Sequence, residues 1–96
     1  MVSLQQDIDY REQRSLGFRP AFMDSMTCEI YLARLGDGRL ARFHSTEGLP
    51  DAVVTRQPLT GRIANVKPTL IPGFERNGFF YTCTAAARAA AQWASR

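Results

Sequence analysis

From Gly17 to Thr82, short apolar runs alternate with clusters of turn-forming residues about every 8–12 positions, a spacing that predicts a succession of short antiparallel strands. Phe18, Pro20 and Phe22 alternate with Arg19, Ala21 and Met23, the period of two that puts one apolar set on a single face. The polar link Asp24-Ser25-Met26-Thr27 leads into Cys28 to Leu35, where Ile30 and Leu32 oppose Glu29 and Tyr31, so these runs read as a first hairpin. Gly36-Asp37-Gly38 tolerates positive φ and returns the chain into a shorter strand over Arg39 to His44, with Ser45 to Pro50 as a loop. Val53-Val54-Thr55-Arg56 and Ile63-Ala64-Asn65-Val66 flank Pro58-Leu59-Thr60-Gly61 as a second hairpin. Ile63 and Val66 differ in parity, which requires a bulge. Pro68 and Pro72 bracket Thr69-Leu70-Ile71 and assign that stretch to an edge or a bend. Asn77-Gly78 is a strong hairpin signal and delivers Phe79-Phe80-Tyr81-Thr82 as the last strand.

The period then changes. Ala85 to Ser95 contains seven Ala and neither Gly nor Pro, which predicts a helix, with Thr84 placed to cap the amides of Ala86 or Ala87. Arg88, Gln92 and Arg96 recur every four residues as a polar stripe, leaving Ala86, Ala89, Ala90 and Trp93 on the other side. Such a face buries little area per residue and works by close approach, either flat on the sheet or against the same helix of a second copy. Gln5 to Arg14 is too polar to pack well, so residues 1–14 are expected to be a short helix or a mobile arm. The resulting fold class is α+β: one domain over residues 1–96, an antiparallel meander of five to seven short strands with a C-terminal helix packed on the sheet.

Composition supports this and narrows it. Ninety-six residues, 45% hydrophobic and 22% charged, suit one core and argue against disorder. No apolar stretch approaches the roughly 18 residues that span a bilayer, so no membrane partner is expected. The N-terminus lacks the basic and apolar regions of a secretory signal. The expected location is therefore cytoplasmic, where Cys28 and Cys83 stay free thiols.

Eleven of the twelve basic residues are Arg. With the abundant Ala this reads first as the codon usage of a GC-rich genome, and second as selection for forked anion recognition. The charge is uneven: residues 1–51 carry six Arg against eight acids, net −2, whereas residues 52–96 carry six basic residues against Glu75 alone, net +5. Arg56, Arg62, Lys67 and Arg76 in this basic half, beside the aromatic run Phe79-Phe80-Tyr81, are the candidate contacts for nucleic acid. The period of two splits those rings between both faces, so at least one belongs to the core.

Catalytic chemistry finds little support. His44 is the one imidazole and belongs to no recognisable motif, and Asp7 with Asp9 and Asp24 with Glu29 lie in tails and turns. Cys28, His44 and Cys83 lack the close pair spacing of zinc ligands, so neither a metal nor a cofactor is expected. Gly36-Asp37-Gly38 lacks the remaining glycines of a phosphate loop. Cys83, just ahead of a helix N-terminus, is the candidate reactive thiol, its pKa lowered by the helix dipole unless burial prevails.

In manner the chain resembles short uncharacterised proteins of GC-rich bacteria or mobile gene cassettes, chiefly in Gly17-Phe18-Arg19-Pro20-Ala21-Phe22 and Asn77-Gly78-Phe79-Phe80-Tyr81-Thr82. That resemblance implies no activity. The leading expectation is a non-enzymatic protein-interaction module that pairs with itself or another protein, with Ala86, Ala90 and Trp93 as candidate interface. Nucleic-acid association through the basic half is the alternative, and an enzyme or small-ligand binder comes third.

Overall fold

The computed structural model describes residues 9–94. The elements are α1 (Tyr10–Ser15), β1 (Arg19–Asp24), β2 (Ile30–Leu32), β3 (Val54–Arg56), β4 (Ile63–Val66), β5 (Leu70–Arg76), β6 (Phe79–Thr82) and α2 (Cys83–Ala94). Four strands form one antiparallel sheet in the order β2-β1-β5-β6, and β3 and β4 form a separate hairpin. The α+β class with the C-terminal helix on the sheet is therefore what the chain adopts, as two sheets instead of one. The register of the second hairpin slips between Thr55 and Arg56, the irregularity that the parity of Ile63 and Val66 requires.

Three local expectations are corrected. Arg39 to His44 is not a strand: after the Gly36–Gly38 turn only the bridge between Arg34 and Leu40 forms, and His44 turns inward. The proline-flanked stretch is the start of β5, the longest strand, which lies between β1 and β6; Leu70–Pro72 pairs with β1 alone, so the edge expectation holds for that stretch, and the correction is that it continues into a central strand at Gly73. Pro72 is tolerated there because β6 pairing stops at Gly73 opposite Thr82. A residue's amide nitrogen and carbonyl point to the same edge of a strand, and the Cys83 thiol meets the Pro72 carbonyl on the β6 side. The amide that proline lacks thus faces a place where no strand waits for it. Third, Thr82, not Thr84, caps α2: its hydroxyl accepts from the Ala85 amide at 3.0 Å, because β6 runs into the helix with no loop between. Of the expected arm, residues 1–8 lie outside the described residues. Tyr10–Ser15 forms α1, capped by the Asp9 carboxylate on the Glu12 amide.

The two faces of the main sheet differ. Register aligns Tyr31, Phe22 and Pro72 across one face, then Pro20, Phe74 and Tyr81. The helices cover one end of it around Phe18, Phe74 and Ala86, with Tyr10 and Trp93 closing the cluster. The long connection after β2 covers the other end around Phe22, Ala33, Ala41, Leu49 and Val53. The opposite face carries Leu32, Ala21 and Gly73 in one row, Ile30, Met23 and Ile71 in the next, and Arg19, Glu75 and Phe80 in the third. Neither core cluster draws on its large apolar side chains. No helix among the described residues is long and apolar enough to cross a membrane.

Where β1 ends, Asp24 is buried on the covered face and joins the hairpin to the sheet. Its carboxylate accepts from Lys67 Nζ at 2.6 Å, Thr69 Oγ1 at 2.7 Å and the Met26 amide at 2.9 Å. These bonds, that from Lys67 foremost, stabilise the ionised form and hold the pKa down at about 2.

Candidate functional site

His44 leaves the loop after residue 38 and enters a cage of Tyr10, Phe22 and Phe74, their ring centroids 5.5, 5.5 and 5.2 Å from its own. Its Nε2 lies 2.7 Å from the Gly73 carbonyl oxygen, and its Nδ1 lies 2.7 Å from the Tyr10 hydroxyl. A carbonyl can only accept, so Nε2 carries the proton of the neutral ring and the Nδ1 lone pair receives the Tyr10 O–H. Burial disfavours charge on both partners, lowering the His44 pKa and raising that of Tyr10. With both nitrogens committed to protein groups, this ring serves as a tie between α1, the loop and β5.

The tie has a consequence for pH. The unfolded His44 takes up a proton near pH 6.5, whereas the folded ring resists it. Between those two pKa values the unfolded chain binds more protons, so stability falls as pH drops below about 6.5 and levels off once the folded ring also titrates. A urea midpoint measured at pH 7.5 and at pH 5.5 should decrease at the lower value. His44→Gln, which keeps one donor and one acceptor without a titrating group, should remove most of that decrease. The window is separate from that of Asp24, which lies below pH 3.8. An unchanged slope in the Gln variant would assign the effect elsewhere.

Cys83 opens α2 half-buried, and its pKa moves opposite to the helix-dipole expectation: burial pushes the thiol up. Neither cysteine is in a disulfide, and Cys28 is exposed in the β1–β2 turn at φ 63°. Among the described residues no group of three or more His, Cys, Asp or Glu is placed to hold a metal ion.

Of the four basic residues expected to form an anion-binding face, three have separate structural tasks. Arg56 bonds Asp51 at 2.9 Å and the carbonyls of Gly61 and Leu49. Lys67 is held by Asp24. Arg76 donates to the Leu16 carbonyl at 2.9 Å and lies over Trp93, 4.7 Å from the ring centroid. Lys67 and Arg76 mark opposite ends of the β1–β5 ladder, on the order of 20 Å apart. Arg62 alone keeps its guanidinium unengaged, over an open cleft of about 790 Å³ that also holds Glu47 and Arg56. These positions do not add up to one basic surface.

The expected interface residues are likewise used within the protomer. Ala86 and Ala90 are buried, and Trp93 stacks on Phe18 with centroids 5.6 Å apart and planes 12° off parallel. Of the two dockings open to a helix with an alanine face, the sheet is the one taken. Arg88 lies on the exposed side of α2, and Arg96 lies outside the described residues. The aromatic run divides as its period requires: Tyr81 packs edge-on to Phe18, Phe80 lies on the opposite face over Gly73, and Phe79 is exposed.

Comparison with protein-family models, curated proteins and solved structures finds no match. Function must therefore be argued from surfaces. The one with the most ordered geometry is the open face of the main sheet, where Met23, Ile30, Leu32, Ile71 and Phe80 stand half-buried around a floor of Ala21 and Gly73. Ala21 and Gly73 face each other across β1 and β5 and are buried, with the Phe80 ring lying over Gly73. The face's two charges neutralise each other, Arg19 meeting Glu75 at 2.8 Å. Sequence reasoning missed this surface because strand alternation labels Ala21 and Met23 only as the other side. Which side stays uncovered depends on where helices and loops pack.

Proposed function

We propose that this protein is a non-enzymatic interaction module that pairs with a second copy of itself through the open face of the four-stranded sheet. The observation that carries this reading is the apolar face of Ile30, Leu32, Met23, Ile71 and Phe80, half-buried side chains that close over Ala21 and Gly73 and belong to neither core cluster. A two-fold pair needs one patch that fits itself. Side chains of stacked sheets interdigitate at about 10 Å separation, so a face made of apolar side chains can pack against its own copy. The Arg19–Glu75 pair leaves the face without net charge, so two copies do not repel and a charged partner gains nothing there.

Four strands about 4.8 Å apart and three rows of side chains make a patch of roughly 300–400 Å², about half of what each partner gives to a standard interface. The pairing is therefore expected to be weak, with monomer and dimer exchanging in the micromolar range or above. Light scattering between about 10 μM and about 1 mM should show the mass rising from 10.8 kDa toward twice that value. Ile71→Glu, which puts a charge among the apolar side chains of the face, should hold the mass at 10.8 kDa with an unchanged circular dichroism spectrum. A wild-type mass that stays monomeric at every concentration ends the proposal.

A further inference from the structure

Next to the open sheet face, but not part of it, is a hollow built where β1 outruns β2. Strand β2 pairs with Ala21 to Met23 only, and the chain then bends back on itself through Ala33 N to Pro20 O and Ala41 N to Ala33 O, both 2.9 Å. The bend leaves a space of about 210 Å³ walled by Pro20, Ala33 and Ala41, with the half-exposed Leu40 at its lip. Its mouth is lined by Arg14 from α1, Arg19 from β1 and Arg42 from the loop, and no acidic side chain lines it. Among the described residues Arg42 makes no side-chain hydrogen bond or ion pair, and Arg14 makes one long contact, 3.5 Å, with the Arg42 carbonyl. Arg19 gives Nε and one Nη to Glu75, which leaves its other Nη for a further acceptor.

From this geometry we infer that the hollow is a binding site for a compact apolar monocarboxylate. The apolar part enters between Pro20, Ala33 and Ala41, and the carboxylate meets the guanidinium groups of Arg14 and Arg42. Guanidinium is matched in shape to a carboxylate, and three such groups with one counter-carboxylate leave an excess of two positive charges at the mouth. A hollow of this volume is below the usual range for drug-sized ligands, about 300–1,000 Å³, which limits the apolar part to something like one branched or aromatic side chain. A free small acid and the C-terminal residue of a peptide both present this chemistry. The inference does not depend on self-association, since Arg14 and Arg42 lie off the open sheet face.

The test is an NMR titration of the ¹⁵N-labelled protein with 4-methylpentanoate, with its uncharged amide, and with an acetylated tripeptide ending in a leucine carboxylate. The acid should shift the amide resonances of Ala33, Leu40 and Arg42 saturably, and the amide should bind at least about tenfold more weakly. The double variant Arg14→Gln, Arg42→Gln should lose at least about tenfold in affinity for the acid with the rest of its spectrum unchanged. Arg42→Gln alone removes a side chain with no internal bond, so it reports on affinity without endangering the fold. Equal binding of tripeptide and free acid would identify a peptide terminus as the natural source; binding of the free acid alone would identify a small metabolite. Equal shifts from acid and amide, unchanged affinity in both variants, or no saturable shift at the three residues would overturn the inference.

Discussion

Phe74→Ala should remove about 3–5 kcal/mol of stability, the range for truncating a fully buried aromatic. Phe74 is 1% exposed and sits in mid-sheet, its ring centroid 6.2 Å from those of Phe18 and Tyr10 and 5.2 Å from that of His44. With Tyr10, it is therefore one of the two side chains through which the helix cluster and the histidine cage touch. A domain of this length is expected to have about 5–14 kcal/mol in total, so the loss takes about a fifth of it or more. The thermal midpoint should fall by about 15–25 °C. The ring also forms one wall of the His44 cage, so the variant should lose part of the stability decrease between pH 7.5 and pH 5.5 as water reaches the imidazole. A midpoint shift under about 5 °C would mean that the two packed regions are stabilised independently.

Gly73→Ala should destabilise by about 3 kcal/mol, against the usual sign of this exchange. In an open strand position, replacing Gly by Ala restricts the unfolded chain and stabilises by about 0.4–1 kcal/mol. Here a Cβ would run into Phe80 Cζ and the carbonyl oxygen of Tyr81. The phenyl ring can swing aside, but the carbonyl belongs to the backbone of β6 and cannot move without opening the pairing of Phe74 with Tyr81. Combining Gly73→Ala with Phe80→Leu should therefore recover only a small part of the loss. The thermal midpoint of Gly73→Ala should drop by about 10–20 °C, and no drop would mean that β5 and β6 lie farther apart at this point. Because the new Cβ displaces Phe80, a side chain of the open face, any folded Gly73→Ala protein should pair more weakly.

The local elements were legible wherever one short stretch of chain decides its own conformation. The Asn77-Gly78 turn lies at φ 54° and 87°, as a hairpin of that type demands. The alanine run forms α2, and the parity conflict in the second hairpin appears as a register slip. Sequence reasoning failed where a residue's role depends on a distant partner. Pro72 excludes a strand only if its edge must donate a hydrogen bond, and that edge is released by the sequence-distant fact that β6 has already turned into a helix. The same holds for charge. A tally by halves singled out residues 52–96, yet Arg56, Lys67 and Arg76 are tied down internally, while the arginines that share a mouth come from the net-acidic half.

The chain by itself determined its α+β class, its main turns, the alanine-rich C-terminal helix and the core side of β1, because periodicity and backbone preference act over a few residues; in β2 the same alternation pointed to Ile30 and Leu32, whereas Tyr31 is the residue that packs on the core. Tertiary structure alone decided which sheet face stayed open, that His44 became a half-buried tie, and that Arg14, Arg19 and Arg42 surround one hollow. Those outcomes depend on which surfaces exclude water from one another, and that choice is made only when segments tens of residues apart come together.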